Sequence, residues 1–187
     1  MIPKHIKDFM FVRVKPKSKV PFDRDWARDP GAHFTSDQIR PWIEQGNNYG
    51  VLTGPDSGVA VVDCDDPLYV KLFAERLPET FSVCSSVGKR HFYFKVENFP
   101  IGQQKIALVD PDWTEDITRQ GGDIRYGGSY VVGPGSIHPN TGEPYLVVDD
   151  VPVATVDYKY LLRAFGQYFI NLKQWSERLS QVFRTEK

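Results

Sequence analysis

Short segments of alternating or continuous apolar residues, separated by turn residues, dominate the hydrophobic pattern of the chain. Such segments predict β-strands. They are Phe9–Val14, NYGVLTG from position 48, VAVVDC from position 59, Phe81–Ser85, Arg90–Val96, DIRYGGSYVVG and PYLVVDD. The turn Pro55–Gly58 and the pair Gly127-Gly128 are suited to hairpins, because glycine adopts the positive φ angles of tight turns. Glu97–Gly122 shows only a candidate strand at IALV.

Helices are predicted at three places. Thr35 begins one with Gln38 in the capping-box position, and Pro41 inside the pattern predicts that this helix is short or bent. Asp66 caps a second helix that Pro67 begins. From Tyr158 onward, apolar residues keep helical spacing for about seven turns, which predicts a long amphipathic C-terminal helix. Hairpins interleaved with few helices predict an α+β fold with a mostly antiparallel sheet.

Two acids stand at the end of the apolar run VAVVDCDDP. Asp63 and Asp65 are two positions apart, so on a strand they share one face, while Cys64 faces the other side as a buried thiol. Paired carboxylates at the end of a stiff strand are typical oxygen ligands of Mg²⁺. The alternative is that both acids only open the following loop.

Composition narrows the class of protein. Hydrophobic residues make up 41% of the 187 positions and charged residues 25%, with a net charge of −1, as in an ordinary globular domain. No apolar run approaches the ~20 residues that cross a membrane, and the start resembles no secretory signal. Two cysteines cannot form a CxxC-type zinc site. We therefore expect a cytoplasmic protein without a membrane partner and without zinc.

Charge is spread unevenly, with eight Lys or Arg residues against three acids up to Arg28 and six against two from Lys159. A basic flank beside an acidic metal site suits a polyanionic substrate. Taken alone, it is only a solvated surface.

Other reactive residues are predicted to converge on the two acids. His91 lies on the strand face opposite Phe92 and Phe94, so we expect it to leave the core, and the basic turn before it suits phosphate oxygens. Asp123 begins the glycine-hairpin strand, and a third carboxylate can complete a two-metal site. Each has a plainer alternative, since a strand histidine is commonly structural and an Asp after Gly-Gly is commonly a turn residue.

Three motifs in order carry a resemblance to a known family. They are VVDCDDP, SVGKRHFYF and GGDIRYGGSYVVGPGSIHPNTGEPY, preceded by Lys19-Val20-Pro21, Trp26 and Asn48–Gly54. Over Val14–Val148 the chain resembles the primase-polymerase domain of the archaeo-eukaryotic primase superfamily. It is most similar to the bifunctional DNA primase/polymerase N-terminal domain of plasmid, phage and mobile-element replication proteins.

The resemblance implies an RRM-like catalytic sheet beside a smaller N-terminal α/β unit. The catalytic core would span residues 1–157, and the helix 158–187 would close it or lead to an accessory domain. Two Mg²⁺ or Mn²⁺ ions would be held by the catalytic acids Asp63, Asp65 and Asp123. The catalytic His91 would contact the triphosphate of the nucleotide. Further nucleotide contacts would come from Lys89, Arg90, Arg125, Ser136 and His138, although for Ser136 and His138 a structural turn is an equal alternative.

The predicted function is template-dependent nucleotidyl transfer. The partners would be a DNA template and primer, dNTPs or NTPs, and a helicase or accessory helical domain. Two other classes stay open. A metal-dependent nuclease would use the same acids, and a non-catalytic RRM-like module would stack bases on an exposed aromatic such as Tyr93.

Overall fold

The computed structural model of the protein describes residues 1–99, 105–108, 121–165 and 169–171, with backbone only for 105–108, 162–165 and 169–171. The strands are β1 Phe11–Val14, β2 Asn48–Thr53, β3 Ala60–Cys64, β4 Ser82–Ser86, β5 Lys89–Glu97, β6 Lys105–Leu108, β7 Gly122–Arg125, β8 Ser129–Val132, β9 Leu146–Asp149, β10 Ala154–Asp157 and β11 Phe169–Asn171. The helices are α1 Ser36–Glu44, α2 Pro67–Arg76 and α3 Tyr158–Phe165, with short 3₁₀ turns at Lys4–Ile6 and Pro30–Ala32.

Side chains that cap α1 and α2 fix where these helices begin, as predicted. At the start of α1, the Thr35 hydroxyl accepts from the backbone N–H of Gln38 at 3.4 Å. In return, the side-chain amide oxygen Oε1 of Gln38 accepts from the backbone N–H of Thr35 at 2.9 Å. At the start of α2, an Asp66 oxygen accepts from the Leu68 N–H at 2.8 Å. These caps satisfy amides that have no partner within the helix.

Two sheets form the described part of the molecule. The larger has the order β11-β6-β7-β3-β5-β4-β9, and β10 adds to β5 as a parallel strand. The smaller has the order β1-β2-β8 and is antiparallel throughout. The predicted α+β class with mostly antiparallel pairing is confirmed. The smaller sheet takes β8 from the hairpin that follows β7, so it is not built from N-terminal residues alone.

The larger sheet is covered on both faces. One face packs on α2 and α3 through an apolar cluster that includes Val62, Phe73, Phe92 and Ile124. The other face packs under the smaller sheet and α1 through a second cluster that includes Val61, Tyr93 and Tyr49. Because β3 lies in the middle of the larger sheet, its residues are buried whichever way they point.

The C-terminal segment departs from the predicted long helix. The helix α3 ends at Phe165, and Phe169–Asn171 pairs antiparallel with β6 as a strand. A continuous helix from Tyr158 is therefore wrong as far as residue 171, and residues 172–187 lie outside the described part. The candidate strand at IALV is confirmed as β6.

Candidate active site

Three neighbouring strands place an acid, an imidazole and a second acid side by side. In the antiparallel register, Asp63 of β3 stands opposite His91 of β5 on one side and opposite Asp123 of β7 on the other. Side chains at directly opposed positions have β-carbons about 4.5–5.5 Å apart. The structure thus brings together three of the predicted site residues, which are up to 60 positions apart in the chain.

Gly122 allows β7 to approach β3 at this point. Its φ is +153°, and a β-carbon there would lie 2.1 Å from the backbone oxygen of Asp63. No side chain fits at that distance, so only glycine permits the approach. The next residue is Asp123, which is thereby fixed beside Asp63.

Arg125 bridges the two carboxylates. Its Nη2 lies 2.8 Å from Asp63 Oδ2, and its Nε lies 2.8 Å from Asp123 Oδ1. The Asp63 and Asp123 side chains are only 10% and 3% exposed, so their charges would repel strongly without a cation between them. Burial would lower the pKa of Arg125, but the charges of Asp63 and Asp123 raise it, and the guanidinium stays charged.

His91 completes the ionic network on the other side of Asp63. Its Nε2 lies 3.2 Å from Asp63 Oδ1. Burial would raise the pKa of Asp63, but the charge and hydrogen bond of His91, together with Arg125 and Lys19, outweigh it and hold that pKa well below its usual range. Asp63 is therefore ionised at neutral pH.

His91 does not leave the core as predicted. It is buried, because the sheet face opposite Phe92 and Phe94 is itself covered by the smaller sheet. Its ring lies 5.9 Å from that of Tyr145, and among the described residues its Nδ1 has no hydrogen-bond partner. Tyr93, two positions along the same face, is fully buried as well, so it cannot stack a base as the binding-module alternative required.

Asp65 stands apart from the other two acids. The strand β3 ends at Cys64, and the Asp65 carboxylate, 44% exposed, pairs with Lys89 Nζ at 2.9 Å. Within the described part of the chain, no group of three His, Cys, Asp or Glu residues is arranged to hold a metal ion. The metal assignment stays a prediction. Cys64 is a buried free thiol on the opposite face, as expected.

A cavity of about 240 Å³ opens beside this network. Its lining includes Asp63, His91 and Arg125 together with residues that sequence reasoning did not assign to the site: Lys19, Trp26, Gly128, Ser129, Tyr130, Val131, Val132 and Tyr145. Rings of Trp26 and Tyr130 meet edge to face at 4.8 Å. The only signal in the sequence was that Lys19 and Trp26 lie in a basic loop and Tyr130 lies in the glycine hairpin.

Arg90 points away from this cavity. It is the register partner of Cys64 and so lies on the face that packs on α2. Its Nη1 lies 3.6 Å from Asp149, and its guanidinium stands over the Phe92 ring at 5.6 Å. The predicted nucleotide contact by Arg90 is therefore not supported by its position.

Ser136 and His138 hold the loop that follows β8. The Ser136 hydroxyl accepts from the Tyr49 N–H at 3.2 Å. The Nδ1 of His138 accepts from the backbone N–H groups of Asn140 and Thr141 at 3.3 and 3.4 Å. Burial, with smaller contributions from nearby lysines, lowers the pKa of His138 and favours the neutral ring that can accept these bonds. These contacts favour the structural-turn alternative for both residues.

Comparison with known proteins identifies the family of the chain. No helix in the described residues is both long and apolar enough to cross a membrane. No curated protein matches the chain. The family model of the bifunctional DNA primase/polymerase N-terminal domain, Prim-Pol, matches residues 5–157, which contain the whole Asp63, His91 and Asp123 row. The chain therefore belongs to the Prim-Pol family.

Proposed function

We propose that this protein is a template-dependent nucleotidyltransferase that extends a nucleic-acid 3′-hydroxyl from a nucleoside triphosphate. The family is that of DNA primases and polymerases. The observation that carries the proposal is the row of Asp63, His91 and Asp123, which meets cationic side chains at one cavity.

The donor set fits a hard divalent cation. Asp63 and Asp123 are adjacent, buried carboxylates, and carboxylate oxygens are the ligands that Mg²⁺ prefers. These two acids would hold Mg²⁺ or Mn²⁺, with Asp65 contributing from the turn after β3. When bound, such ions lower the pKa of the attacking hydroxyl and stabilise the pyrophosphate that leaves.

The cationic residues of the cavity have a separate role. These residues are Lys19 and Arg125, which line the cavity beside the imidazole of His91, and Lys89, which stands beside Asp65. They bind and orient the triphosphate, whose negative charge they offset in a partly water-excluded site. In the reaction the 3′-oxygen bonds to the α-phosphorus, the bond to the β-phosphate oxygen breaks, and the hydroxyl proton passes to solvent.

Primer extension tests the proposal. Primed and unprimed templates are supplied with dNTPs or NTPs, in Mg²⁺, Mn²⁺ or EDTA. Extension should require the metal and fall roughly 100-fold or more in Asp63→Asn and in Asp123→Asn, because charge stabilisation at the reacting centre is lost. Asp37→Asn is the matched control, since Asp37 lies exposed on α1.

Two outcomes would contradict the proposal. If the Asp63→Asn variant still extends the primer, Asp63 does not take part in the reaction as proposed. Metal-dependent release of products from nucleic acid without any added triphosphate would assign the site to a nuclease.

A further inference from the structure

The loop between β1 and Phe22 is held rigidly beside the cavity. The Lys15 N–H donates to the Val20 carbonyl at 3.0 Å, and Val14 forms a β-bridge with Pro21. Two side chains outside the loop also bind its backbone. Asn48 Nδ2 donates to the Ser18 carbonyl at 3.0 Å, and the Tyr130 hydroxyl donates to the Lys19 carbonyl at 2.5 Å.

Alternating residues of this loop carry exposed positive charge. Lys15, Lys17 and Lys19 are all exposed, and none of them forms an ion pair within the described part of the chain. Lys19 also lines the cavity that contains Asp63. These three ammonium groups, of which the last lies at the candidate site, form a track of positive charge suited to a polyanion.

An aromatic ring that lies next to the track is half exposed. Phe22 is 49% exposed and lines a groove. The ring also contacts Trp42, with ring centroids 4.8 Å apart, and the Arg13 guanidinium at 5.0 Å. Arg13 is itself held by both carboxylate oxygens of Asp23. A ring that is already immobilised loses little conformational entropy when a planar ligand stacks on it.

A groove of about 470 Å³ brings the first lysine of the track together with Phe22, and Lys17 lies on the same loop next to it. Its lining combines Lys15 and Phe22 with Pro16, Ser18, Val20, Trp42 and Asn47. A positively charged groove with exposed aromatics is the arrangement by which proteins bind single-stranded nucleic acid, since phosphates follow the cations and unpaired bases stack on the rings. The bases of a duplex are already stacked on one another, so the Phe22 ring favours a single strand.

We propose that this groove binds the single-stranded DNA template ahead of the candidate active site, with a base stacked on Phe22 and phosphates on Lys15 and Lys17. The proposal rests on the proposed function, which requires a template. The template strand then passes Lys19 and reaches the cavity at Asp63.

Fluorescence anisotropy with a labelled 20-nucleotide single strand, in EDTA, tests the groove without catalysis. Phe22→Leu keeps an apolar side chain but removes the ring, so it should weaken binding roughly 5- to 150-fold. Lys15→Gln combined with Lys17→Gln should weaken binding and reduce the slope of log affinity against log salt by about 1.4, or about 0.7 per phosphate contact. The lysine variant removes only exposed charge, so the test holds even if Phe22→Leu fails to fold.

The matched control is Lys71→Gln combined with Lys159→Gln. Both lysines are exposed, and they lie on α2 and α3 against the other face of the larger sheet. This variant should bind the single strand as the unaltered protein does. Unchanged binding in both groove variants would overturn the proposal. So would binding of duplex DNA that is at least as tight and is lost in the same variants.

The groove and the proposed function fail separately. If the unaltered protein extends primers but the groove variants bind the single strand normally, the groove proposal is wrong and the proposed function stands. If the groove variants lose single-strand binding but the unaltered protein does not extend primers, the groove is a single-strand binding site and the proposed polymerase function is wrong. Asp63→Asn should abolish extension and retain single-strand binding.

Discussion

The two faces of the larger sheet differ most at the end of β3, although alternating residues of the same strand build both. Toward α2, Val62 and Cys64 lie in an apolar cluster, with Arg90 the half-buried register partner of Cys64. Toward the smaller sheet, Val61 is followed by Asp63, which lies among His91, Asp123 and Arg125. Both faces are buried. Both bury apolar area, and what separates them is that the second face also buries charge at the end of β3.

The comparison indicates which face the fold uses for stability and which for chemistry. Burial of apolar area contributes roughly 25 cal/mol per Å², whereas buried charges lose hydration that their pairing only partly restores. Asp63 is therefore a costly position, kept ionised by His91 and Arg125, and Asp123 is a second buried acid paired with Arg125. The apolar face is expected to carry the free energy of unfolding, and the polar face the activity.

Phe92→Ala tests the apolar face and should have the largest effect on stability. Phe92 is buried and stacks on Phe73 with ring centroids 6.4 Å apart. Removing such a ring from a core costs about 3–5 kcal/mol of unfolding free energy. Urea unfolding measures the loss, with the exposed Val148→Ala on β9 as control. A loss below about 1 kcal/mol would break the assignment of stability to this face.

Arg125→Gln tests the polar face and should cost about 2–3 kcal/mol. Removing one partner of a buried ion pair costs 3–5 kcal/mol, and the value here is smaller because the Arg125 side chain is 30% exposed. Since the variant leaves Asp63 and Asp123 without their shared cation, added Mn²⁺ should restore more stability to it than to the unaltered protein. Thermal unfolding with and without Mn²⁺ measures this. Equal responses would mean that no cation binds between the two acids.

Strand alternation in the sequence correctly placed Asp63, His91 and Asp123 on one face, but it did not predict that the strand ends before Asp65 or that this face is buried. Asp63, His91 and Asp123 meet as alternation and strand ends implied. The burial of His91 could not be predicted, because the sheet that covers it combines β1, β2 and β8, whose pairing depends on contacts between distant parts of the chain. Local signals, such as the caps at Thr35 and Asp66, were sufficient for helix starts.

The roles of Lys19 and Arg90 were not predicted correctly for the same reason. Lys19 lies at the site on a loop that the Tyr130 hydroxyl helps to hold, a contact between residues 111 positions apart. Arg90 looked like a phosphate ligand because it is next to His91, but adjacent strand residues point to opposite faces. Closeness in sequence to His91 therefore suggested a role for Arg90 that its position does not support. Lys19 was not assigned to the site because it is far from Asp63 in the sequence.

Acid titration should show a smaller effect that belongs to the polar face. The pKa of Asp63 is lower in the folded protein than in the unfolded chain, where it is about 3.9. Its contribution to stability is therefore fully present well above pH 4 and is lost as the pH falls toward the folded pKa. Below pH 4 the unaltered protein should lose up to about 1.4 kcal/mol per pH unit more than Asp63→Asn. Unfolding by urea at pH 5, 4 and 3 gives both slopes, and equal slopes would mean that Asp63 titrates normally.

Tyr93→Phe should have the smallest effect, of the opposite sign. The Tyr93 hydroxyl is buried on the polar face without a hydrogen-bond partner among the described residues, and such a group costs about 1–3 kcal/mol. Its removal should leave the unfolding free energy unchanged or raise it by about 1 kcal/mol, since the ring keeps its edge-to-face contact with Phe81 at 5.2 Å. Tyr49→Phe is the matched control in the same cluster, because its hydroxyl donates to the Pro134 carbonyl at 2.9 Å and its loss should cost about 1 kcal/mol. Equal losses in the two variants would mean that the Tyr93 hydroxyl does have a hydrogen-bond partner, such as a buried water.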